Sequence, residues 1–221
     1  MHKGLGEKVF SFYGSKSKIV KKYPLPKHQT IIEPFAGSAR YSLEHWEHDV
    51  ILYDIDRNIV ETWEWLIREA VPDDILALPL LKPGEVIPDI HPKGAKNFLS
   101  FMSNQGSATP KNITGRMNFC RWNPSKIASS LYKIKHWKIV FGSYQDCPDL
   151  EATWFVDPPY QEKGKWYKHN KIDYVELEGF VRQRKGQVIV CEQDGATWMP
   201  FRQLTCVAGQ MYKTKEVIWT S

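Results

Sequence analysis

A buried strand that stops at two consecutive prolines constrains this chain more than any other feature of its sequence. Residues 153–156 are apolar or β-prone, and Asp157, Pro158, Pro159 and Tyr160 follow directly. Such a run is typical of a buried strand. Neither proline has an N–H group to donate and each fixes its φ angle, so the strand cannot continue. We therefore expect a rigid corner, with Asp157 at the carboxyl end of a strand and the Pro158 carbonyl without a partner in the sheet.

The chemistry of this corner favours a flat ligand that carries an amino group. In open α/β sheets, ligands bind at the carboxyl ends of the strands. Asp157 offers a carboxylate there, Pro158 a free carbonyl, and Tyr160 an aromatic face. These three groups suit a nucleobase. On this motif alone, an ordinary turn that ends a strand is the alternative interpretation.

Strand-like and helix-like segments alternate along most of the chain. Helical patterns at 41–46, 58–68 and 174–184 lie between strand patterns, and this alternation predicts a parallel sheet that is covered on both faces. The last two strands are joined only by a short polar link, so they are predicted to form an antiparallel hairpin. The predicted fold class is α/β, with a seven-stranded, mainly parallel sheet. Its strands are expected at 30–33, 50–54, 138–142, 153–157, 187–192, 203–208 and 215–220.

Residues 71–136 interrupt the alternation and are predicted to form a small, mainly helical inserted subdomain. Prolines at 72, 79, 83, 88 and 92 exclude long helices in its first part. Helices are expected at 95–103 and 125–136, with a polar loop at 104–115 between them. The main domain would then consist of residues 1–70 and 137–221.

The predicted insertion coincides with a strongly basic segment. Between residues 90 and 145 the chain has nine lysines and arginines and no aspartate or glutamate, whereas the net charge of the whole chain is only +5. A segment that is basic because it lacks acids is typical of a polyanion-binding surface. A solvated basic surface without a partner is the alternative.

The general composition indicates a cytoplasmic protein. No apolar run approaches the length of a membrane span, and the N-terminus lacks the apolar stretch of a signal peptide. The four cysteines are scattered without a C-x-x-C pair, which favours reduced thiols over disulfides or a zinc site. We expect a monomer with no bound metal and no membrane association.

Three further segments suggest a nucleoside ligand. The first strand ends at Glu33, and a turn of small residues with Pro34, Phe35 and Gly37 leads into a helix, as in dinucleotide-type folds. The pattern is not G-x-G-x-x-G, so a pyrophosphate cofactor is not favoured. The second strand ends at Asp54, where an acid can accept hydrogen bonds from ribose hydroxyls. S-adenosylmethionine fits these features, although a carboxylate at a strand end is also common as a helix cap.

An aromatic loop precedes the first strand. Phe12 and Tyr13 could cover an adenine ring or a cation, and Lys16 could meet a carboxylate. Gly14 lies between them. An exposed basic turn is the alternative interpretation of this loop.

The ordered motifs F-x-G-S-K, E-P-F-x-G, Y-D-I-D and D-P-P-Y, with the closing segment 215–220, resemble the Dam-like N6-adenine DNA methyltransferases. The resemblance is weakest across residues 70–136. It implies a Rossmann-like, S-adenosylmethionine-dependent methyltransferase fold with a reversed last strand, and it implies that the insertion recognises the DNA target. The implied cofactor contacts are Phe12, Tyr13, Gly14, Lys16, Glu33, Pro34, Phe35, Gly37, Asp54 and Asp157, and the implied catalytic residues are Asp157, Pro158, Pro159 and Tyr160.

The resemblance also implies a reaction. An adenine would be flipped out of the duplex, Tyr160 would stack on it, and Asp157 with the Pro158 carbonyl would each accept one hydrogen of its N6 amino group. We expect DNA contacts from two groups of basic residues. They are Lys111, Arg116 and Arg121 in the insertion, and Lys163, Lys165 and Lys168 after the corner.

Several positions depart from the family pattern. Ser15 and Ala39 stand where the family often has glycines, and Ser143 stands where an acid is common, with Asp146 nearby. Residues 191–194 replace an expected asparagine-bearing turn. Two other functions therefore stay open: methylation of cytosine N4 or of an RNA base, and binding of cofactor and nucleic acid without catalysis. A host regulator, a restriction–modification enzyme and a phage self-protection enzyme would share all these features.

Overall fold

A computed structural model describes residues 14, 16, 19–104, 106–115, 122–162, 164, 167–208 and 213–221 of the chain. The strands are β1 (Thr30–Glu33), β2 (Asp49–Asp54), β3 (Lys138–Phe141), β4 (Ala152–Val156), β5 (Gly186–Gln193), β6 (Arg202–Ala208) and β7 (Lys213–Thr220). Each lies within two residues of its predicted position. The prediction succeeded because apolar and β-branched residues are concentrated in these segments.

The seven strands form one sheet in the order β3-β2-β1-β4-β5-β7-β6. The first five strands are parallel to one another, and β7 runs antiparallel to both β5 and β6. This order, with a reversed strand placed between β5 and β6, is that of the Rossmann-like methyltransferase fold. The predicted fold class, including the C-terminal antiparallel hairpin, is confirmed.

The helices lie in the predicted segments, and several of their ends differ from the predicted bounds. They are α1 (Arg40–Glu44), α2 (Arg57–Glu64), α3 (Pro72–Ala77), α4 (Lys93–Ser103), α5 (Pro124–Ala128) and α6 (Tyr174–Arg182). The single helix predicted at 125–136 is wrong: α5 ends early, and a separate 3₁₀ turn follows at Leu131–Ile134. Ser129 donates its hydroxyl to the carbonyl of Lys126, which is the kind of local bond that ends a helix. The helix predicted at 58–68 continues past α2 as a π-helical turn, Trp65–Glu69.

The segment 71–136 packs on the same core as the sheet. Helix α4 lies against α2 so closely that a Cβ atom on Gly94 would be 2.3 Å from the backbone oxygen of Glu61. The ring of Phe98 on α4 lies 5.5 Å from that of Trp65 and 5.7 Å from that of Trp122. These aromatic contacts place α4 in one hydrophobic cluster with residues of β1 and β2. The segment is mainly helical, as predicted, and its treatment as a separate subdomain stays a prediction.

Strand β4 is buried on both faces, which explains its continuous apolar run. Phe155 stacks on Tyr41 on one face, with ring centroids 4.3 Å apart and planes at 5°. Trp154 meets Phe180 of α6 on the other face. All five residues of β4 are buried, so the corner that follows it is fixed in the middle of the sheet.

The described residues contain no candidate for a membrane-spanning helix and no candidate metal-binding cluster. None of the described helices has the length and apolar character that a membrane crossing requires. No group of three or more histidine, cysteine or acidic side chains among the described residues could hold a metal ion.

Candidate active site

The Asp-Pro-Pro corner follows β4 and is anchored on both sides. The hydroxyl of Tyr174 donates to the Pro159 carbonyl at 2.6 Å, and the N–H group of Gly164 donates to the Tyr160 carbonyl at 2.7 Å. By contrast, the Pro158 carbonyl accepts no hydrogen bond from any residue that the structure describes. The corner therefore holds one free acceptor in a rigid frame, as the two prolines predict.

A cleft of about 780 Å³ opens along the carboxyl ends of β1, β2 and β4, and we call it the central cleft. Of the residues predicted from the sequence, the cleft is lined by Gly14, Lys16, Glu33, Phe35, Gly37, Asp54, Asp157, Pro159 and Lys168. The structure thus brings together residues from four separate motifs.

The turn between β1 and α1 is tight and fixed by hydrogen bonds. The N–H group of Gly37 donates to Oδ2 of Asp54 at 3.0 Å, and the carbonyl of Gly37 accepts the indole N–H of Trp63 at 2.9 Å. Both Gly37 and Ala39 have a φ angle of 45°. This left-handed conformation suits glycine, whereas at Ala39 it strains the backbone. The missing second glycine of the family pattern therefore falls at a position where glycine would be favoured.

Asp54 is held by backbone amides at the end of β2. Its Oδ2 atom accepts from Gly37, and its Oδ1 atom accepts from the N–H group of Asp56 at 2.8 Å. Burial raises the pKa of Asp54 to about 6, although these amide hydrogen bonds act in the opposite direction. The carboxylate is therefore mostly ionised at neutral pH and fixed in orientation, with lone pairs left for hydroxyl donors.

Glu33 lies deeper in the central cleft and differs from Asp54 in charge. It is only 2% exposed, and its Oε1 atom accepts the N–H group of Ser42 at 2.8 Å. Burial raises the pKa of Glu33 to about 8, and the hydrogen bonds from Ser42 offset only part of that rise. Glu33 is therefore mostly protonated at neutral pH.

Lys16 lies against the Asp-Pro-Pro corner, and its ammonium group contacts two carboxylates. Its Nζ atom is 2.9 Å from Oδ1 of Asp157 and 3.5 Å from Oε1 of Glu216, and it donates a hydrogen bond to the hydroxyl of Tyr160. Burial alone would lower the pKa of Lys16, but the charges of Asp157 and Glu216 raise it well above its ordinary value. Lys16 is therefore a permanent cation beneath the predicted catalytic aspartate.

The charges around Asp157 partly cancel. Burial raises the pKa of Asp157 to about 6, Lys16 acts to lower it, and Glu216 raises it further. The hydroxyl of Tyr160 donates to Oε1 of Glu216 at 2.7 Å, and burial together with the nearby carboxylates raises the pKa of Tyr160 well above its usual range. At neutral pH the corner thus presents an ionised aspartate and a neutral tyrosine.

Other predicted site residues lie elsewhere. Pro34, Pro158 and Tyr160 do not line the central cleft, although Tyr160 contacts Lys16 at its edge. Lys111 is exposed at a second depression beside α4, where its backbone is fixed by the hydroxyl of Ser100. Six predicted residues fall outside the described residues, and their roles stay predictions. They are Phe12, Tyr13, Arg116, Arg121, Lys163 and Lys165.

Several lysines of the basic segment, and Lys168 after the corner, contact groups of the same chain. Lys93 pairs with Glu61 at 3.0 Å, and Lys96 pairs with Asp89 at 2.7 Å. The ammonium group of Lys135 donates to the carbonyls of Leu66 and Ala70, so it caps the π-helical turn rather than facing a partner. Lys168 lines the central cleft but lies 3.7 Å from the carboxylate of Asp56. Part of the positive charge is therefore used within the chain.

Two acids at positions that depart from the family pattern form hydrogen bonds within the chain. Asp146 accepts the N–H group of Ser143 at 2.7 Å and closes a 3₁₀ turn, and it does not line the central cleft. Glu192, in the 191–194 segment, accepts the N–H group of Gln161 at 2.8 Å and the indole N–H of Trp198 at 3.1 Å. Glu192 thereby fixes the chain directly after the corner.

Sequence reasoning missed two members of the buried cluster, Glu216 and Tyr23. The hydroxyl of Tyr23 donates to Oε1 of Glu216 at 2.6 Å. The available signal was a single glutamate in an otherwise strand-like segment, next to Val217 and Ile218, which are both buried. It was also not predicted that Ala108, from the polar loop of the insertion, would reach the central cleft.

Comparison with known proteins adds only distant likenesses. No protein-family model matches the chain, and no curated protein sequence matches it. Among solved structures, the chain is similar to yhhF of Escherichia coli, a provisionally assigned methyltransferase, with a TM-score of 0.36 and 12% identity over 86% of this chain and 73% of that one. It is also similar to a conserved hypothetical protein of Streptococcus pyogenes, with a TM-score of 0.34 and 10% identity over 86% of this chain and 84% of that one.

A third similar structure is HI0767 of Haemophilus influenzae, a provisionally assigned methylase. Its TM-score is 0.34 and its identity 10%, over 86% of this chain and 85% of that one. At such low TM-scores these likenesses do not bear on function. The fold assignment rests on the strand order of the chain itself.

Proposed function

We propose that this chain transfers a methyl group from S-adenosylmethionine to the N6 amino group of a flipped-out adenine in DNA. One observation carries the proposal: Asp157 opens a rigid corner at the end of β4 and lines the same cleft as Asp54 and Glu33. A nucleoside site and an amine-accepting site therefore share one space. Neither feature alone would distinguish this function from nucleotide binding.

The side chains of the central cleft fit the proposed cofactor. Asp54 presents a fixed carboxylate for ribose hydroxyls, and Phe35 provides an apolar ring against which an adenine can pack. The turn at Gly37 lets the backbone approach a ligand closely. S-adenosylmethionine, when bound, supplies a methyl group activated by a positive sulfonium. The excess of carboxylates over cations in the buried cluster around Lys16 favours such a cationic ligand.

The corner supplies acceptors for an exocyclic amine. The lone pair of adenine N6 is delocalised into the ring, so the nitrogen is a poor nucleophile. Asp157 and the free Pro158 carbonyl would each accept one N6 hydrogen, which favours a pyramidal nitrogen with an available lone pair. As positive charge develops on N6, it meets a carboxylate and a carbonyl dipole that are already in place. The chain needs to reorganise little for this step.

The position of Ala108 beside the central cleft supports DNA as the substrate more strongly than the charge of the chain does. Ala108 brings the insertion to the central cleft, so a partner bound there would adjoin the corner. Lys168 at the cleft and the exposed Lys111 could contact phosphates. A base in a duplex has to leave the helix to reach this corner.

Transfer of labelled methyl groups tests the proposal. The purified chain is incubated with labelled S-adenosylmethionine and unmethylated DNA, and the DNA is digested to nucleosides. We expect the label in N6-methyladenine. A parallel reaction contains RNA in place of DNA. Label in N4-methylcytosine, label in RNA alone, or no label in either reaction would contradict the adenine assignment, and each result favours one of the alternative functions.

A matched pair of aspartate variants tests the site. Asp157→Ala should reduce transfer by about 100-fold or more, because it removes a preorganised charge beside the reacting nitrogen. Its affinity for S-adenosylmethionine, measured by calorimetry, should change far less. Asp149→Ala is the control, since Asp149 lies at the surface and pairs with Lys185. Near-normal turnover by Asp157→Ala would refute the role of the corner.

A further inference from the structure

Glu216 lies on β7 and pairs with Gln193 at the carboxyl end of β5, and its side chain reaches the Asp-Pro-Pro corner. Its Oε1 atom accepts the hydroxyl of Tyr160 at 2.7 Å and the hydroxyl of Tyr23 at 2.6 Å, and it lies 3.5 Å from the ammonium group of Lys16. Its side chain is 8% exposed. One oxygen atom thus contacts three groups, two of which directly contact or follow Asp157.

A carboxylate buried at this depth is unfavourable unless its partners compensate. Here the compensation is shared, because Lys16 faces both Glu216 and Asp157. The titratable groups around this cluster come from five parts of the chain. They are Lys16 and Tyr23 before β1, Glu33 on β1, Asp157, Tyr160 and Tyr167 after β4, Cys191 and Glu192 on β5, and Glu216 on β7.

We propose that Glu216 is a positioning residue for methyl transfer, which fixes the hydroxyl of Tyr160 and shares the ammonium group of Lys16 with Asp157. This inference rests on the proposed function. Held by its hydroxyl, the Tyr160 ring keeps one orientation beside the corner. Because Lys16 divides its charge between two carboxylates, the ionised Asp157 is a stronger hydrogen-bond acceptor for the amine. Glu216 acts through these neighbours and does not touch the reacting atoms.

Glu216→Gln tests the proposal through a pH profile. The variant keeps the size and an acceptor oxygen but removes the negative charge. In the wild type, the acid limb of the kcat profile is expected near pH 6, where Asp157 titrates. The negative charge of Glu216 raises the pKa of Asp157, so its removal should move this limb to lower pH by roughly half a unit or more. The kcat should also fall about tenfold, with smaller changes in KM, because the corner loses its orientation.

A purely structural role would lower stability without moving the pH profile. An unchanged acid limb in a well-folded Glu216→Gln protein would therefore overturn the proposal. Glu178→Gln is the control: Glu178 pairs with Arg182 on the surface of α6, and this variant should keep both the profile and kcat of the wild type. Thermal unfolding shows whether each variant is folded.

A double-mutant cycle provides a second test. Tyr160→Phe and Glu216→Ala remove the hydrogen bond between these two side chains from its two ends, so their losses in kcat should not add. Additive losses would overturn the proposal. If Glu216→Gln does not fold, Tyr23→Phe takes its place, because it removes one donor to the same oxygen and changes no charge. An unaltered kcat in Tyr23→Phe would then count against positioning by Glu216.

The wild-type measurement separates the two proposals. If the wild-type chain methylates adenine and Glu216→Gln behaves like the wild type, only the positioning role fails. If the wild-type chain transfers no methyl group to DNA, the proposed function fails and the role of Glu216 fails with it.

Discussion

The Nζ atom of Lys16 lies 2.9 Å from the Oδ1 atom of Asp157. Lys16 precedes the first strand and Asp157 follows the fourth, so the contact links two residues that are far apart in the sequence. The lysine is 8% exposed, and the charges of Asp157 and Glu216 hold it protonated. A single cation thus stabilises two carboxylates beneath the corner.

Removing this cation should destabilise the protein strongly. Lys16→Met keeps the length of the side chain but leaves Asp157 and Glu216 buried without their counter-charge, so the free energy of unfolding should fall by roughly 3–5 kcal/mol. Urea denaturation monitored by tryptophan fluorescence measures this change. Lys21→Met is the control, because Lys21 is 74% exposed and its contact with Glu44 is 3.8 Å long. Similar losses in both variants would contradict the role of Lys16.

Glu33 should make the free energy of unfolding depend on pH in the range from about 4.5 to about 8. Because burial raises its pKa from 4.5 to about 8, the folded chain holds a proton that the unfolded chain has already lost in this range. Stability therefore falls as pH rises from about 4.5 to about 8. The raised pKa values of Asp54 and Asp157, both about 6, act with the same sign but at lower pH.

Glu33→Gln isolates this effect, because glutamine has no proton to lose. The free energy of unfolding, measured by urea denaturation at two pH values on either side of neutrality, should fall more for the wild type than for Glu33→Gln as pH rises. Equal decreases in the two proteins would show that Glu33 is not the group responsible.

Ala39→Gly should stabilise the turn after β1. Ala39 has a φ angle of 45°, which costs a residue with a Cβ atom about 1 kcal/mol. Glycine removes this strain, although its freedom in the unfolded chain offsets roughly 0.4–1 kcal/mol of the gain. We expect the midpoint of urea unfolding to stay unchanged or to rise slightly. By contrast, a glycine substitution at another buried position would lower this midpoint. A clear loss of stability would contradict the assigned strain.

The turn at Ala39 illustrates what local sequence can predict. The strand at 30–33, the acid at its end and the small-residue turn are all local features, and each lies where it was predicted. The break between α5 and the following 3₁₀ turn was missed because it depends on whether Ser129 bonds to the backbone or to solvent. Neither outcome is visible in the apolar periodicity.

The position of Glu216 could not be predicted for a different reason. Its side chain reaches Lys16 only because β7 lies antiparallel beside β5, with Glu216 paired to Gln193. A shift of one residue would turn Glu216 to the other face of the sheet. The register between strands depends on the whole sheet. The local sequence pattern therefore does not predict where the buried carboxylate of Glu216 lies. For the same reason Tyr23, which bonds to it, carried no signal.

Two glycines in helices provide the last prediction, which concerns how firmly helix α4 packs against α2. A Cβ atom on Gly94 of α4 would lie 2.3 Å from the backbone oxygen of Glu61 and 2.6 Å from Cβ of Trp65. Neither neighbour can move without shifting α2. Gly94→Ala should therefore lower the free energy of unfolding by about 1–3 kcal/mol or more.

Gly179→Ala is the matched control for this change. Gly179 lies within α6, and a Cβ atom there would meet no atom within 4 Å. Alanine should stabilise α6 by roughly 0.5–1 kcal/mol, since it loses less conformational freedom than glycine. If urea denaturation shows that Gly94→Ala lowers the free energy of unfolding and Gly179→Ala raises it, then α4 packs against α2 in solution. A stabilising Gly94→Ala would mean that the insertion stands away from the sheet domain, and that its polar loop does not reach the central cleft.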